Sequence, residues 1–249
     1  MIEKDLADYL HTHKHLLKNK NIEALYSGWT YFRRHELTEA LFSAGIDPLR
    51  YVENIPEDFL CGHVGNLIGV IVHENVKTIG ESAFSGCDNL EKVRLHDGIT
   101  RIDHNAFDFT PSLKEINIPD SLEIIQDSTF RHSGIKKVTF GRDSKLNTIL
   151  PNAFAECHGL REIFLPEGLE HIGDSAFRHC PFLEKVELPF TLMSIGDYAF
   201  ANCLDLKTVK FNGSMQEFEN VYQGDGAFRN CPNNLKVFCV DGVITEVQR

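Results

Sequence analysis

The chain carries 249 residues, a formal net charge of −11 and an isoelectric point near 5.5. That acidity weakens attraction to nucleic acid and anionic lipid and favours a basic or neutral partner. No run of 18 apolar residues exists, and the opening MIEKDLADYLHTHKHLLKNK carries charges where a secretory signal needs an uninterrupted apolar stretch, so the chain is expected to stay cytoplasmic, in the compartment where it is made.

Residues 1–55 show helical periodicity. Ile2, Leu6, Tyr9, Leu10, Leu16 and Leu17 share one stripe, and the run from Glu36 to Gly45 is stopped by that glycine and by Pro48. An α-helical N-terminal cap is therefore expected at 1–55. His11, His13 and His15 alternate along it, so only His11 and His15 share a helix face, and a solvated surface explains them better than a metal site. Asp58 and His63 follow, and a turn beside a domain junction accounts for both.

Beyond the junction a ruler appears. Ala-Phe recurs at Ala83-Phe84, Ala106-Phe107, Ala153-Phe154, Ala176-Phe177, Ala199-Phe200 and Ala227-Phe228, with Thr129-Phe130 filling the gap, and from Phe84 to Phe200 successive phenylalanines lie 23 or 24 residues apart. A period in the twenties with Leu, Ile and Phe at fixed offsets means stacked copies of one supersecondary unit, which cannot bury its apolar edge alone. Between Phe177 and Phe200 the apolar positions are Leu183, Val186, Leu188, Leu192 and Ile195; the same offsets hold Leu90, Val93, Leu95, Ile99 and Ile102. The half-pattern L-x-x-V/I-x-L reads as a short strand whose copies pair in parallel. In the other half, Gly173 and Gly196 suit a tight turn, and Asp174 and Asp197 suit the cap of a short helical turn. Irregular coils or loops are expected at Phe59, at Ser128-Thr129-Phe130 with Ser133, and in the 28-residue step from Phe200 to Phe228. Asp241-Gly242 between two apolar runs predicts a closing hairpin.

This pattern, a strand followed by Pro and then Leu-x-x-Ile-Gly-x-x-Ala-Phe-x-x-Cys, closely resembles the BspA-like class of leucine-rich repeats, over about residues 59–249. The tail segments FNGSMQEF and KVFCVDGVI resemble that class's usual closing segment. The resemblance implies a leucine-rich-repeat solenoid at 56–249 of about seven or eight coils, with a parallel β-sheet on the concave face, short turns, helical turns or strands on the convex face, and a C-terminal β-hairpin cap. It also implies a protein-binding or adhesive role.

The recurring polar residues invite chemistry. Cys87, Cys157, Cys180, Cys203 and Cys231 all sit three residues after a ruler phenylalanine, a place shared with Thr110 and Ser133. No closely spaced cysteine pair offers a zinc site, so reduced packing thiols are expected. His73 and His96 occupy matching positions near Asp97 and read as stacked, partly exposed imidazoles. Asp127, Asp174, Asp197 and Asp225 read as turn caps rather than calcium ligands. There is no G-x-S-x-G, P-loop, G-x-G-x-x-G or H-E-x-x-H, and an enzyme needs one singular site, so no catalytic residue, cofactor or metal is expected.

The outward strand positions are the candidate interaction surface. One column, Gly69, Lys92, Glu115, Lys137, Glu162, Lys185 and Thr208, alternates in sign and reads as a charge ladder paired between neighbouring strands. The next, Ile71, Arg94, Asn117, Thr139, Phe164, Glu187 and Lys210, is irregular, with Phe164 as its aromatic anchor and Arg94 and Lys210 placed to orient an approaching acidic segment. The partner-binding residues expected are Lys92, Arg94, Asn117, Thr139, Phe164, Glu187 and Lys210. The function expected is a non-catalytic protein-binding module inside a bacterial or phage-infected cell, monomeric or weakly oligomeric; the alternatives are a secreted or surface adhesin, or an enzyme with its site at the helical cap.

Overall fold

The computed structural model describes residues 53–61 and 67–247. The expected helical cap at 1–55 lies outside these residues apart from its last three, as do His11, His13, His15 and His63. In chain order the strands are β1 (Asn54–Ile55), β2 (Gly69–Ile71), β3 (Thr78–Ile79), β4 (Lys92–Arg94), β5 (Arg101–Ile102), β6 (Glu115–Ile118), β7 (Ile124–Ile125), β8 (Lys137–Phe140), β9 (Thr148–Ile149), β10 (Glu162–Phe164), β11 (His171–Ile172), β12 (Lys185–Leu188), β13 (Ser194–Ile195), β14 (Thr208–Phe211), β15 (Tyr222–Gln223), β16 (Lys236–Cys239) and β17 (Gly242–Ile244). A short helix, α1 (Met215–Asn220), lies between β14 and β15.

Each coil contributes one strand to each of two faces. The even-numbered strands carry the L-x-x-V/I-x-L pattern and pair in parallel with equivalent residues opposite, as in Val186↔Val209. The two-residue odd-numbered strands pair in the same sense along a second face, as β1-β3-β5 and β7-β9-β11-β13-β15, with no pairing between β5 and β7. β1 already pairs with β3, so the solenoid begins by Asn54, ahead of the boundary expected at residue 56. At the far end β17 folds back antiparallel on β16 through Val240-Asp241, the hairpin that Asp-Gly predicts.

The third face holds the Ala-Phe segments, and it is a ladder rather than a series of helical turns. The residues two before and two after each ruler phenylalanine adopt left-handed backbone, for example Ser175 at φ 57° and His179 at φ 56° around Phe177. This alternation points every second N–H along the stack: Ser175 donates to Asp197 O, Phe177 to Ala199 O and His179 to Ala201 O, at 2.7 to 2.9 Å. The intervening N–H groups close turns within the coil, as Ala176 does on Gly173 O. Backbone satisfaction therefore passes from coil to coil, and bulky Phe109, His132 and Tyr198 tolerate φ of 51° to 55° because the ladder holds them there.

Two sequence expectations change accordingly. Asp174 and Asp197 do not cap their own turns; Asp174 Oδ1 accepts from Asp197 N at 2.9 Å and Asp197 Oδ1 from Asp225 N at 2.8 Å, so each carboxylate bridges to the next coil. Gly173 and Gly196 serve close approach rather than left-handed backbone, since a Cβ at Gly173 would stand 2.7 Å from Pro151 N. The rung at Ser128-Thr129-Phe130 is regular, with Thr129 Oγ1 donating to Gln126 O at 2.7 Å, and the irregular spacing of this coil follows the rung, before Val138 and after Phe140. The long step before Phe228 holds α1, N-capped by Ser214 in a capping box with Glu217, whose carboxyl is held below its usual range by the Ser214 N–H.

Inside these three faces the phenylalanines form one column. From Phe84 to Phe228 successive rings stack with centroids 5.1 to 5.6 Å apart and planes within 16°, while Phe59 meets Phe84 edge-on at 73°. A coil spacing of about 4.8 Å sets the rings at stacking distance. Phe177, fully buried between Phe154 and Phe200, is the test position. Phe177→Ala is expected to cost about 3–5 kcal/mol in denaturant unfolding, whereas Phe164→Ala on the exposed strand face should cost under about 1 kcal/mol.

Candidate functional site

The long-strand face is not continuous. β2-β4-β6-β8 form one sheet and β10-β12-β14-β16-β17 another, and no backbone hydrogen bond joins β8 to β10. The cause is local. Phe140 to Ile149 spans nine positions where Leu165 to Ile172 spans seven, so Gly141-Arg142-Asp143-Ser144-Lys145 holds two residues more than the equivalent link of the next coil. The extra length lets β8 diverge from β10.

The divergence leaves a hollow of about 670 Å³ lined by Lys136 to Phe140, Arg161, Glu162, Phe164, Glu184 and Lys185. Val138, Phe140 and Phe164 form its apolar surface; Phe140 occupies an inward position that is fully buried as Leu188 in a closed coil, yet here it stays partly exposed. Phe164 is 42% exposed, and Lys185 Nζ sits 4.8 Å from its ring centroid. Arg161 pairs with Glu184 at 2.9 Å across the rim. Lys136 and Lys137 form no ion pair among the described residues.

Of the expected partner-binding residues, the structure brings Thr139 and Phe164 to this hollow, together with Lys137, Glu162 and Lys185 of the expected charge ladder, and leaves the others elsewhere. Lys92 opposes Glu115 in register, but the charge ladder through Lys92, Glu115, Lys137, Glu162 and Lys185 makes no ion pairs. The bridges form in adjacent columns, Lys114 to Glu91 at 3.0 Å, Arg161 to Glu184 at 2.9 Å and Lys210 to Glu187 at 2.7 Å. The opening between β8 and β10 also interrupts the column itself. Asn117 Nδ2 is spent on Leu95 O at 3.1 Å. Arg94 lines a separate hollow with Ile71, His73 and His96, and Lys210 is paired, so neither flanks Phe164 as expected; Lys136, Lys137, Arg161 and Lys185 do. The signal for those residues was the lengthened link after Phe140.

The remaining polar columns are structural. Cys157, Cys180, Cys203 and Cys231 Sγ each donate to the ruler carbonyl of the preceding coil at 3.2 to 3.3 Å, and Cys87 does so to Leu60 O at 3.4 Å. No disulfide joins any of the seven cysteines, all of which lie among the described residues. Burial pushes the Cys157 and Cys180 thiols well up and Cys87 to about 12. On the Ala-Phe face, Arg131 forks onto nearly buried Asp108 at 2.7 and 3.2 Å, which raises its pKa, and His132 stacks on Phe109 with centroids 4.3 Å apart. His96 Nδ1 accepts from Gly98 N at 3.0 Å. Among the described residues, no group of three or more His, Cys, Asp or Glu side chains is placed to hold a metal.

The sequence matches the BspA type leucine rich repeat region in six copies, over residues 53–181 and 133–248. The chain belongs to the BspA-type leucine-rich repeat family. Among solved structures, this BspA-type chain is similar to a leucine rich repeat protein of T. pallidum at 27% identity, with a TM-score of 0.51 and 74% of each chain covered. It shares its fold with the pneumococcal vaccine antigen PcpA at 21% identity and a TM-score of 0.54, over 75% of this chain and 57% of that one. No curated protein matches the sequence.

The thiol column yields a pH prediction. Below pH 9.0 the Cys87 thiol is protonated in both folded and unfolded chains; from there towards about 12 only the unfolded chain ionises, so its contribution to stability is lost across that window. Guanidinium unfolding should show a lower midpoint at about pH 10.5 than at about pH 8, and Cys87→Ser should shrink the difference. An unchanged difference in the variant would place the effect elsewhere.

Proposed function

We propose that this BspA-type protein is a non-catalytic protein-binding module whose partner docks on the long-strand face at the opening between β8 and β10. The supporting observation is Phe164: a large aromatic, exposed beside a hollow with apolar walls, where the repeat itself demands only a solvated side chain. Buried aromatic anchors set in such hollows dominate the energetics of many interfaces. Many of the periodic polar residues are consumed by the coil, in thiol, carboxylate and hydroxyl contacts, whereas the hollow follows a local change in spacing and sets Phe164 beside apolar walls. An odd count of seven cysteines argues against a fully disulfide-paired framework, which favours a reducing compartment and hence a cytoplasmic module over an exported adhesin.

The test begins with a partner captured from native lysate. Hydrogen-exchange footprinting of the complex should protect 136–140 and 161–164, and Phe164→Ala should weaken binding by about 2 kcal/mol or more with unchanged melting behaviour. A footprint confined to the Ala-Phe face would refute the chosen surface.

A further inference from the structure

At four other strands of the long-strand face, two successive N–H groups converge on one carbonyl of the coil before, while at β6 and β16 one does so, Lys114 to Glu91 O at 3.4 Å and Lys236 to Lys207 O at 3.1 Å. Glu91 and Lys92 donate to Ile68 O, Lys136 and Lys137 to Lys114 O, Glu184 and Lys185 to Arg161 O, and Lys207 and Thr208 to Glu184 O, at 2.7 to 3.3 Å. Arg161 and Glu162 occupy the same place in their coil, and their N–H groups make no hydrogen bond among the described residues. In every neighbouring coil these N–H groups point at the preceding strand; here that direction is the opening towards β8. Two unpaired backbone donors at a cleft are costly unless water or a ligand acceptor meets them.

Charge converges on the same spot. The hollow is lined by Lys136, Lys137, Arg161 and Lys185 against Glu162 and Glu184, so it is net cationic on a chain whose formal charge is −11. Arg161 is neutralised by Glu184, and Lys185 lies over Phe164, which leaves Lys136 and Lys137 as the uncommitted cations. Beside them stand the apolar surfaces of Val138, Phe140 and Phe164.

Resting on the docking reading above, we infer that the hollow takes an acidic segment of a partner protein: a carboxylate meets the Arg161 and Glu162 N–H groups and the Lys136 and Lys137 ammonium groups, and an adjacent aromatic or aliphatic side chain packs between Phe140 and Phe164. Backbone N–H pairs beside lysine bind oxyanions well, and the unneutralised Glu162 carboxylate on the rim disfavours a polyanion such as nucleic acid, which would have to crowd charge against it. Local complementarity outweighs the net charge, which acts at longer range and is screened over roughly 8 Å in physiological salt.

The experiment uses the full chain and three fluorescein-labelled decapeptides: one of Glu and Asp around a central Phe, one with Lys replacing every acid, and one acidic with Ala replacing the Phe. Anisotropy titration should show the acidic Phe peptide binding at least about tenfold more tightly than the other two. Phe164→Ala and the double variant Lys136→Gln/Lys137→Gln should each weaken it about tenfold or more, and only the lysine variant should flatten the salt dependence. Both sets of substitutions are at exposed positions, and matched thermal melts establish that the variants fold. Binding of the basic peptide instead, still lost with Phe164→Ala, would overturn the acidic assignment and leave the docking surface standing. Acidic-peptide binding indifferent to Phe164 and to both lysines would overturn the site itself. Failure of all three peptides would overturn the acidic assignment, while the partner footprint judges the surface independently.

Discussion

The structure depends on N–H groups that leave each coil for the next. A single coil cannot satisfy its own backbone, because its strands have no internal partner and its turns close only alternate donors. On the Ala-Phe face the problem is solved by a left-handed residue two before and two after each ruler phenylalanine, so that Ser175, Phe177 and His179 all donate upward. Each such bond contributes only about 0.5–1.5 kcal/mol net, but a missing one leaves a buried polar group at greater cost. Coil spacing is thereby fixed, and once it is fixed, the phenylalanine column, the thiols and the bridging aspartates fall into register without further instruction.

The same dependence explains how this protein acquires a singular site. A regular solenoid repeats one backbone geometry along each face, and a local change in spacing sets one coil apart from its neighbours. Two additional residues after Phe140 release β8 from β10, and the release removes hydrogen bonds only on the long-strand face. The neighbouring faces stay closed: β7 still pairs with β9, β9 with β11, and Phe130 still stacks on Phe154 at 5.2 Å. The core is therefore continuous beneath an open surface. The hollow inherits apolar walls from the interior it partly uncovers and unpaired donors from the ladder it interrupts.

Much of the architecture was legible because it is periodic. Ala-Phe spacing gave the coil, strand offsets gave the register of columns such as Glu187 opposite Lys210, and Asp-Gly gave the closing hairpin. The turn geometry was not legible: Gly-Asp before Ala-Phe suggests a capped helical turn, and only the neighbouring coil shows that Gly173 is small for approach and Asp174 reaches across. Phe164 stood out as an aromatic in a solvated column. Its surroundings did not, since Lys136, Phe140 and Arg161 are ordinary for their positions, and the coil is marked as different by spacing alone, eight positions from Phe130 to Val138 where neighbours have nine, and nine from Phe140 to Ile149 where neighbours have seven. Arg94 and Lys210 do not flank Phe164 as expected, because Arg94 lies on the sheet across the break and Lys210 is held by Glu187, and sequence columns show neither.

Everything functional here rests on the opening, and amide hydrogen exchange of the free protein probes it directly. The Arg161 and Glu162 amides should exchange on the order of a hundredfold faster than those of Glu184 and Lys185, which hold the equivalent place in the next coil and are hydrogen-bonded to Arg161 O. Equal protection of the two pairs would mean that β8 and β10 are joined in solution, and the hollow with its unpaired donors would not exist.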